Sequence, residues 1–100
     1  FPLIFGRRIR FRLFEVKGGE AGEERRVCDI RCRRVKGVID VELPSDLDTS
    51  SKLYRGYFVP SRIAKTKARV RVHRMRDGID EELSPLARIE PRYSFGPGAL

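Results

Sequence analysis

One hundred residues with 22 Lys and Arg against 14 Asp and Glu carry a formal net charge of +8, and the pI is about 10.2. That length allows one domain around one core, and a 40% hydrophobic fraction argues against a disordered tail. No apolar run is long enough to span a bilayer and the N-terminus lacks a signal-peptide core, so a cytoplasmic protein without a membrane partner is expected.

The chain opens on the apolar run from Phe1 to Phe5, either an edge strand or an arm that docks on a neighbouring subunit. Next, RIRFRLFEV alternates strictly, with Ile9, Phe11 and Leu13 on one face and Arg8, Arg10 and Arg12 on the other, the period of a half-buried strand. KGGEAGEER supplies three glycines and reads as a flexible hairpin loop. RVCDIRCR and VKGVIDVEL predict two further strands, with Gly37 marking a tight turn or bulge between them. Cys28 and Cys32 share a face at i,i+4 but stand roughly 13 Å apart on a strand, too far for a disulfide. With one His in the chain a zinc site lacks ligands, so neither a metal nor a cofactor is expected.

PSDLDTSS is turn chemistry, in which Asp46 and Asp48 serve as turn and capping residues. KLYRGYFV predicts another strand, ended by Pro60, and SRIAKTK a single helical turn or an irregular connection. ARVRVHRM alternates again, placing Ala68, Val70 and Val72 inward and Arg69, Arg71 and His73 outward. After an RDG turn, IDEELSPLARI reads as a short helix or an edge strand, with Asp80, Glu81 and Glu82 suited to a helix's first turn. The segment from Tyr93 to Leu100 reads as an extended C-terminal arm beyond a single β domain of residues 1–92.

Short strands with turn signals every ten or so residues, and no long amphipathic helix, predict an all-β, mainly antiparallel fold. An OB-like or SH3-like barrel with at most one or two short helical turns is expected.

The stretch YRGYFVP approaches the stacking signature of the RRM, a basic residue and Gly followed by aromatics and Val. It omits the small residue between the aromatics, which puts Tyr57 and Phe58 on opposite faces and breaks the stacking pair. With no helices to back such a sheet, the RRM is excluded.

Charge is the more informative signal. Residues 49–76 hold nine cations and no acid, leaving thirteen cations to face fourteen acids elsewhere. The absence of Asn, Gln and Trp and the dense charge fit a thermophile, but an ion-pair lattice intersperses its signs, whereas a phosphate-binding surface segregates them. Arg outnumbers Lys by 17 to 5, and its planar fork suits phosphate. If the first strand pairs with ARVRVHRM, its arginines would stand beside Arg69 and Arg71, a costly arrangement without an anion over it. His73 has no carboxylate near in sequence to orient it as a base, and the glycines of KGGEAGEE lack the Lys-Ser/Thr of a nucleotide-binding loop.

The expectation is therefore a non-enzymatic nucleic-acid-binding protein of low sequence specificity. It would grip backbone phosphates through Arg8, Arg10, Arg12, Arg55, Arg62, Lys65, Lys67, Arg69, Arg71, His73 and Arg74, with Tyr57 as a stacker. RNA within a ribonucleoprotein is favoured over duplex DNA, because no recognition helix is available for a major groove. The alternative is an assembly subunit of a polymerase, virion or filament, docking protein partners through its terminal arms.

Overall fold

The computed structural model describes residues 9–18 and 22–99. Eight strands form two four-stranded sheets: β1 (Arg10–Lys17), β2 (Glu23–Arg31), β3 (Arg34–Val35), β4 (Val38–Leu43), β5 (Leu53–Val59), β6 (Arg69–Arg76), β7 (Ile79–Arg88) and β8 (Tyr93–Phe95). The first sheet has the order β2-β1-β5-β8 and the second β3-β4-β6-β7. Every pairing is antiparallel except β4 with β6. One 3-10 turn, Ser61–Lys65, lies in the connection from β5 to β6.

The fold is all-β and mainly antiparallel, but the strands build two ladders, not a closed barrel. One consequence corrects the expected neighbourhood of the arginines. β1 pairs with β2 and β5, while β6 lies in the other sheet between β4 and β7, so Arg10 and Arg12 do not stand beside Arg69 and Arg71 in a ladder.

Alternation decides which side chains fill the space between the sheets. From the first sheet come Phe11, Leu13, Tyr54, Phe58, Tyr93 and Phe95, and from the second Ile39, Val41, Leu43, Val70 and Val72, all within one hydrophobic cluster. Phe11 is the centre of its aromatic part, edge-on to Phe58 at 5.0 Å and to Tyr93 at 5.8 Å. Its ring occupies the place where a side chain on Gly56 would sit. The Gly of the RRM-like stretch is thus explained by core packing.

Two-residue turns close β3 onto β4 and β6 onto β7. In both, the central residues have positive φ: Lys36 at 54° with Gly37 at 77°, and Asp77 at 54° with Gly78 at 77°. That hand of turn matches the twist of the strands it joins, and Lys-Gly and Asp-Gly pay for it with a single strained residue each.

Of the two alternatives expected for residues 79–88, the structure has the edge strand, β7: Asp80, Glu81 and Glu82 find cations across the ladder on β6. One further expectation changes. The C-terminal segment is not a free arm: Tyr93 and Phe95 are buried, and Tyr93–Phe95 pairs with β5 as the last strand of the first sheet. The apolar run of residues 1–5, the other expected arm, lies outside the described residues. Among the described residues no helix is long and apolar enough to cross a membrane.

Candidate nucleic-acid interface

The basic segment divides into cations already matched by carboxylates and cations that are not. Arg12, on the outer face of β1, donates from Nε and Nη2 to both oxygens of Asp29 at 3.0 Å each. Arg55 is 6% exposed and donates to Glu24 at 2.9 Å, and the Tyr57 hydroxyl donates to the same carboxylate oxygen. Tyr57 also meets Phe14 edge-on at 5.7 Å. Burial alone would raise the pKa of Glu24, but the hydrogen bonds from Tyr57 and Arg55 outweigh it and hold the carboxyl ionised below its ordinary value. Tyr57 is therefore anchored in a polar cluster, and its expected role as a stacker loses its basis.

On β6 the change is larger. Arg71 pairs with Asp40 at 3.3 Å, with Asp80, and with Glu82 at 3.5 Å. His73, expected outward and without a carboxylate, is 7% exposed and lies between two. Its Nε2 is 2.9 Å from Asp40 and its Nδ1 2.7 Å from Asp80. A carboxylate only accepts, so the protonated imidazole satisfies both neighbours at once, donating from each ring nitrogen. Arg74 points inward and is 1% exposed, donating to Glu81 at 2.9 Å, to the Leu47 carbonyl, and to Thr49 at 2.9 Å. A register shift between Val72 and His73 accompanies this burial of consecutive side chains. Sequence separation hid these partners: Asp40 lies on β4 and Asp80 on β7, and only the sheet order brings them to either side of β6.

The His73 clasp has a pH signature. Burial lowers the His73 pKa, but its hydrogen bonds to Asp40 and Asp80 outweigh that, leaving it above the ordinary 6.5. A raised folded-state pKa stabilises the fold fully below the unfolded value, and this stabilisation disappears as pH rises through the folded value. Asp80 is held below its ordinary 3.8, first by the Arg71 hydrogen bond and then by that of His73, so its contribution is lost on acidification. Wild type should therefore exceed His73→Gln in Tm most clearly between about pH 4 and 6.5 and approach it in alkali. Thermal melts of both proteins across pH check this; a gap independent of pH would refute it.

Part of the basic segment gathers at one end of the domain, whereas Lys52, just before β5, and Arg76, at the end of β6, lie at the other. The register aligns Arg31, Arg10 and Val59 in one row of the first sheet, and Val35, Val38, Arg69 and Arg88 in one row of the second. Residues 32–33 and 60–68 carry the chain from that end of the first sheet to the second, and they bring Arg33, Arg62, Lys65 and Lys67 with them. Lys36 sits in the adjoining hairpin turn and Arg34 beside it. Of these, Arg31, Arg33, Arg34, Lys36 and Arg88 escaped notice in the sequence because acids flank them along the chain. Arg8 lies outside the described residues.

Two like-charge pairs stand out in this end, Arg10 opposite Arg31 and Arg69 opposite Arg88. Among the described residues none of these four makes an ion pair, and Arg10 Nη1 is buried without a hydrogen-bond partner. Like charges directly opposite each other cost on the order of 0.2–1 kcal/mol per pair. Of the carboxylates on the neighbouring strand positions, Asp29 and Asp40 are taken by Arg12 and by Arg71 with His73, while Glu90, two residues beyond Arg88, forms no ion pair with it.

No family model, curated protein or solved structure matches this chain.

Proposed function

We propose that the protein binds nucleic acid through backbone phosphates at this basic end, without reading base sequence. The observation that carries the reading is the pair of cross-strand arginine pairs, Arg10 with Arg31 and Arg69 with Arg88, set on the two sheets and left without carboxylates. A surface that needed these cations only for stability would interleave them with acids, as the same protein does at Arg71 and Arg74. An anion laid over the pairs removes the repulsion, and phosphate matches the guanidinium fork. Low specificity follows from the all-β architecture, which offers no recognition helix, and from side chains that make a charged rim instead of a base-edge pocket.

The interface differs from the linear segment first expected. Arg55, Arg71, His73 and Arg74 serve internal ion pairs, while Arg31, Arg33, Arg34, Lys36 and Arg88 join Arg10, Lys65, Lys67 and Arg69. RNA in a ribonucleoprotein and genomic DNA both supply the required backbone.

Fluorescence anisotropy of labelled polynucleotides across a salt series tests the reading. Five phosphate contacts predict that log affinity falls against log salt with a slope of about −4.5 on a duplex and about −3.5 on a single strand. Arg69→Glu with Arg88→Glu should weaken binding at least tenfold and flatten the slope, with Tm little changed because one like-charge pair replaces another. Absence of binding near physiological salt, or reversal without effect, overturns the proposal.

The assembly reading retains one supporting observation: among the described residues, β2 and β7 are long edge strands with no sheet partner on their outer side. Such edges accept a strand from another chain. The C-terminal residues no longer support it, since Tyr93 and Phe95 belong to the core.

A further inference from the structure

Resting on the phosphate-binding reading, we infer that the partner is a double helix gripped on both of its backbones, not a single strand. Two features of the basic end lead there.

The first is the placement of the arginine pairs. Arg10 and Arg31 share a face, and that face is the outer one of the first sheet, since Ile9 and Phe11 on either side of Arg10 are fully buried. Arg69 and Arg88 share the outer face of the second sheet, because Val70 and Ile89 point into the core. The two pairs therefore lie on the outward faces of two different sheets that share one core, and sheets packed face to face stand ~10 Å apart. A single strand has one line of phosphates and must bend around this end to reach both pairs. A duplex has two lines, and the B-form major groove that parts them is ~12 Å wide. The cations of residues 62–67 lie along the chain that joins the two sheets at this end, between the pairs.

The second feature is what the basic end lacks. Proteins that hold single strands combine a cationic groove with aromatic side chains that stack the exposed bases. Among the described residues, Phe11, Tyr54, Phe58, Tyr93 and Phe95 are buried in the core. Phe14 and Tyr57 are half-buried, but they face each other, and the Tyr57 hydroxyl is directed to Glu24, near the far end of the sheet. Without a stacking platform among the described residues, a single strand keeps its bases in water there and gains only its phosphate contacts. A duplex already stacks its bases internally and forfeits nothing.

The test compares duplex DNA, duplex RNA and single strands of each at equal phosphate number, by anisotropy across a salt series. Exposed residues on the two faces are reversed separately, as Arg31→Glu and as Arg69→Glu with Arg88→Glu. Circular dichroism and thermal melts confirm that each variant folds. The expected result is at least tenfold tighter binding to a duplex, with the slope reduced by about 0.9 in Arg31→Glu and by about 1.8 in the double variant. The stronger of the two duplexes names the source. Equal or tighter binding of a single strand, or a duplex affinity that responds to only one face, overturns this inference while leaving phosphate binding intact. Failure of every polynucleotide to bind overturns both.

Discussion

Gly56→Ala should destabilise the protein by about 3 kcal/mol, far more than a methyl group costs at an ordinary strand position. Gly56 faces the core from β5, paired with Leu13 on one side and Tyr93 on the other. A Cβ there would overlap the Phe11 ring at Cζ and Cε2. Phe11 has nowhere to retreat: it is fully buried and hemmed in by Phe58, Tyr93 and Phe95 with ring centroids at 5.0, 5.8 and 6.4 Å. The choice is between displacing this aromatic cluster and bending β5 away from β1, and either breaks contacts that close packing has optimised. For a chain of this size the loss corresponds to a fall in Tm of about 12–24 °C. Because the conflict is with one ring, Phe11→Leu in the Gly56→Ala background should recover part of it. Strict additivity of the two substitutions in chemical denaturation would disprove the account.

How much of this was legible in the sequence depends on the range of the interaction concerned. Alternation is local, so the inward positions Phe11, Leu13, Ile39, Val41, Val70 and Val72 could be read directly, and so could the turns at Gly37 and Gly78. Sheet order is not local. The parallel pairing of β4 with β6 set Asp40 beside His73 and Arg71, and nothing in the spacing of those residues announced it. Asp80, Glu81 and Glu82 suited a helix start as well as a strand facing Arg71, His73, Arg74 and Arg76 of β6, and tertiary contacts decided between them. The same limit applied to the candidate site. A run of nine cations without an acid is a property of the chain, whereas free positive charge is a property of the surface, and neutralisation from distant strands moved the site toward Arg31, Arg69 and Arg88.

Arg74 tests that distinction most sharply, because the sequence places it in the basic segment and the fold places it in the core. Arg74→Ala should lower stability by about 1–3 kcal/mol, the cost of leaving buried acceptors without their donor, since Glu81 is exposed enough to be rehydrated. The substitution strands three groups together: Glu81, 2.9 Å from Nε, the Leu47 carbonyl, and the Thr49 hydroxyl, 2.9 Å from Nη2. Arg74 thereby ties the loop after β4 to the β6–β7 hairpin, so its loss should loosen residues 44–52 first, which hydrogen exchange would show as early loss of protection there. Arg74→Lys should recover little, since an ammonium cannot present the same fork to three acceptors. Polynucleotide affinity gives the opposite pattern. Measured at a temperature where the variant remains folded, Arg74→Ala should bind within about twofold of wild type and keep the salt slope, since no phosphate contact is removed. Arg69→Glu with Arg88→Glu should instead lose affinity and keep its Tm. An Arg74 variant that melts like wild type but loses polynucleotide binding would return Arg74 to the interface and refute the division of the basic segment proposed above.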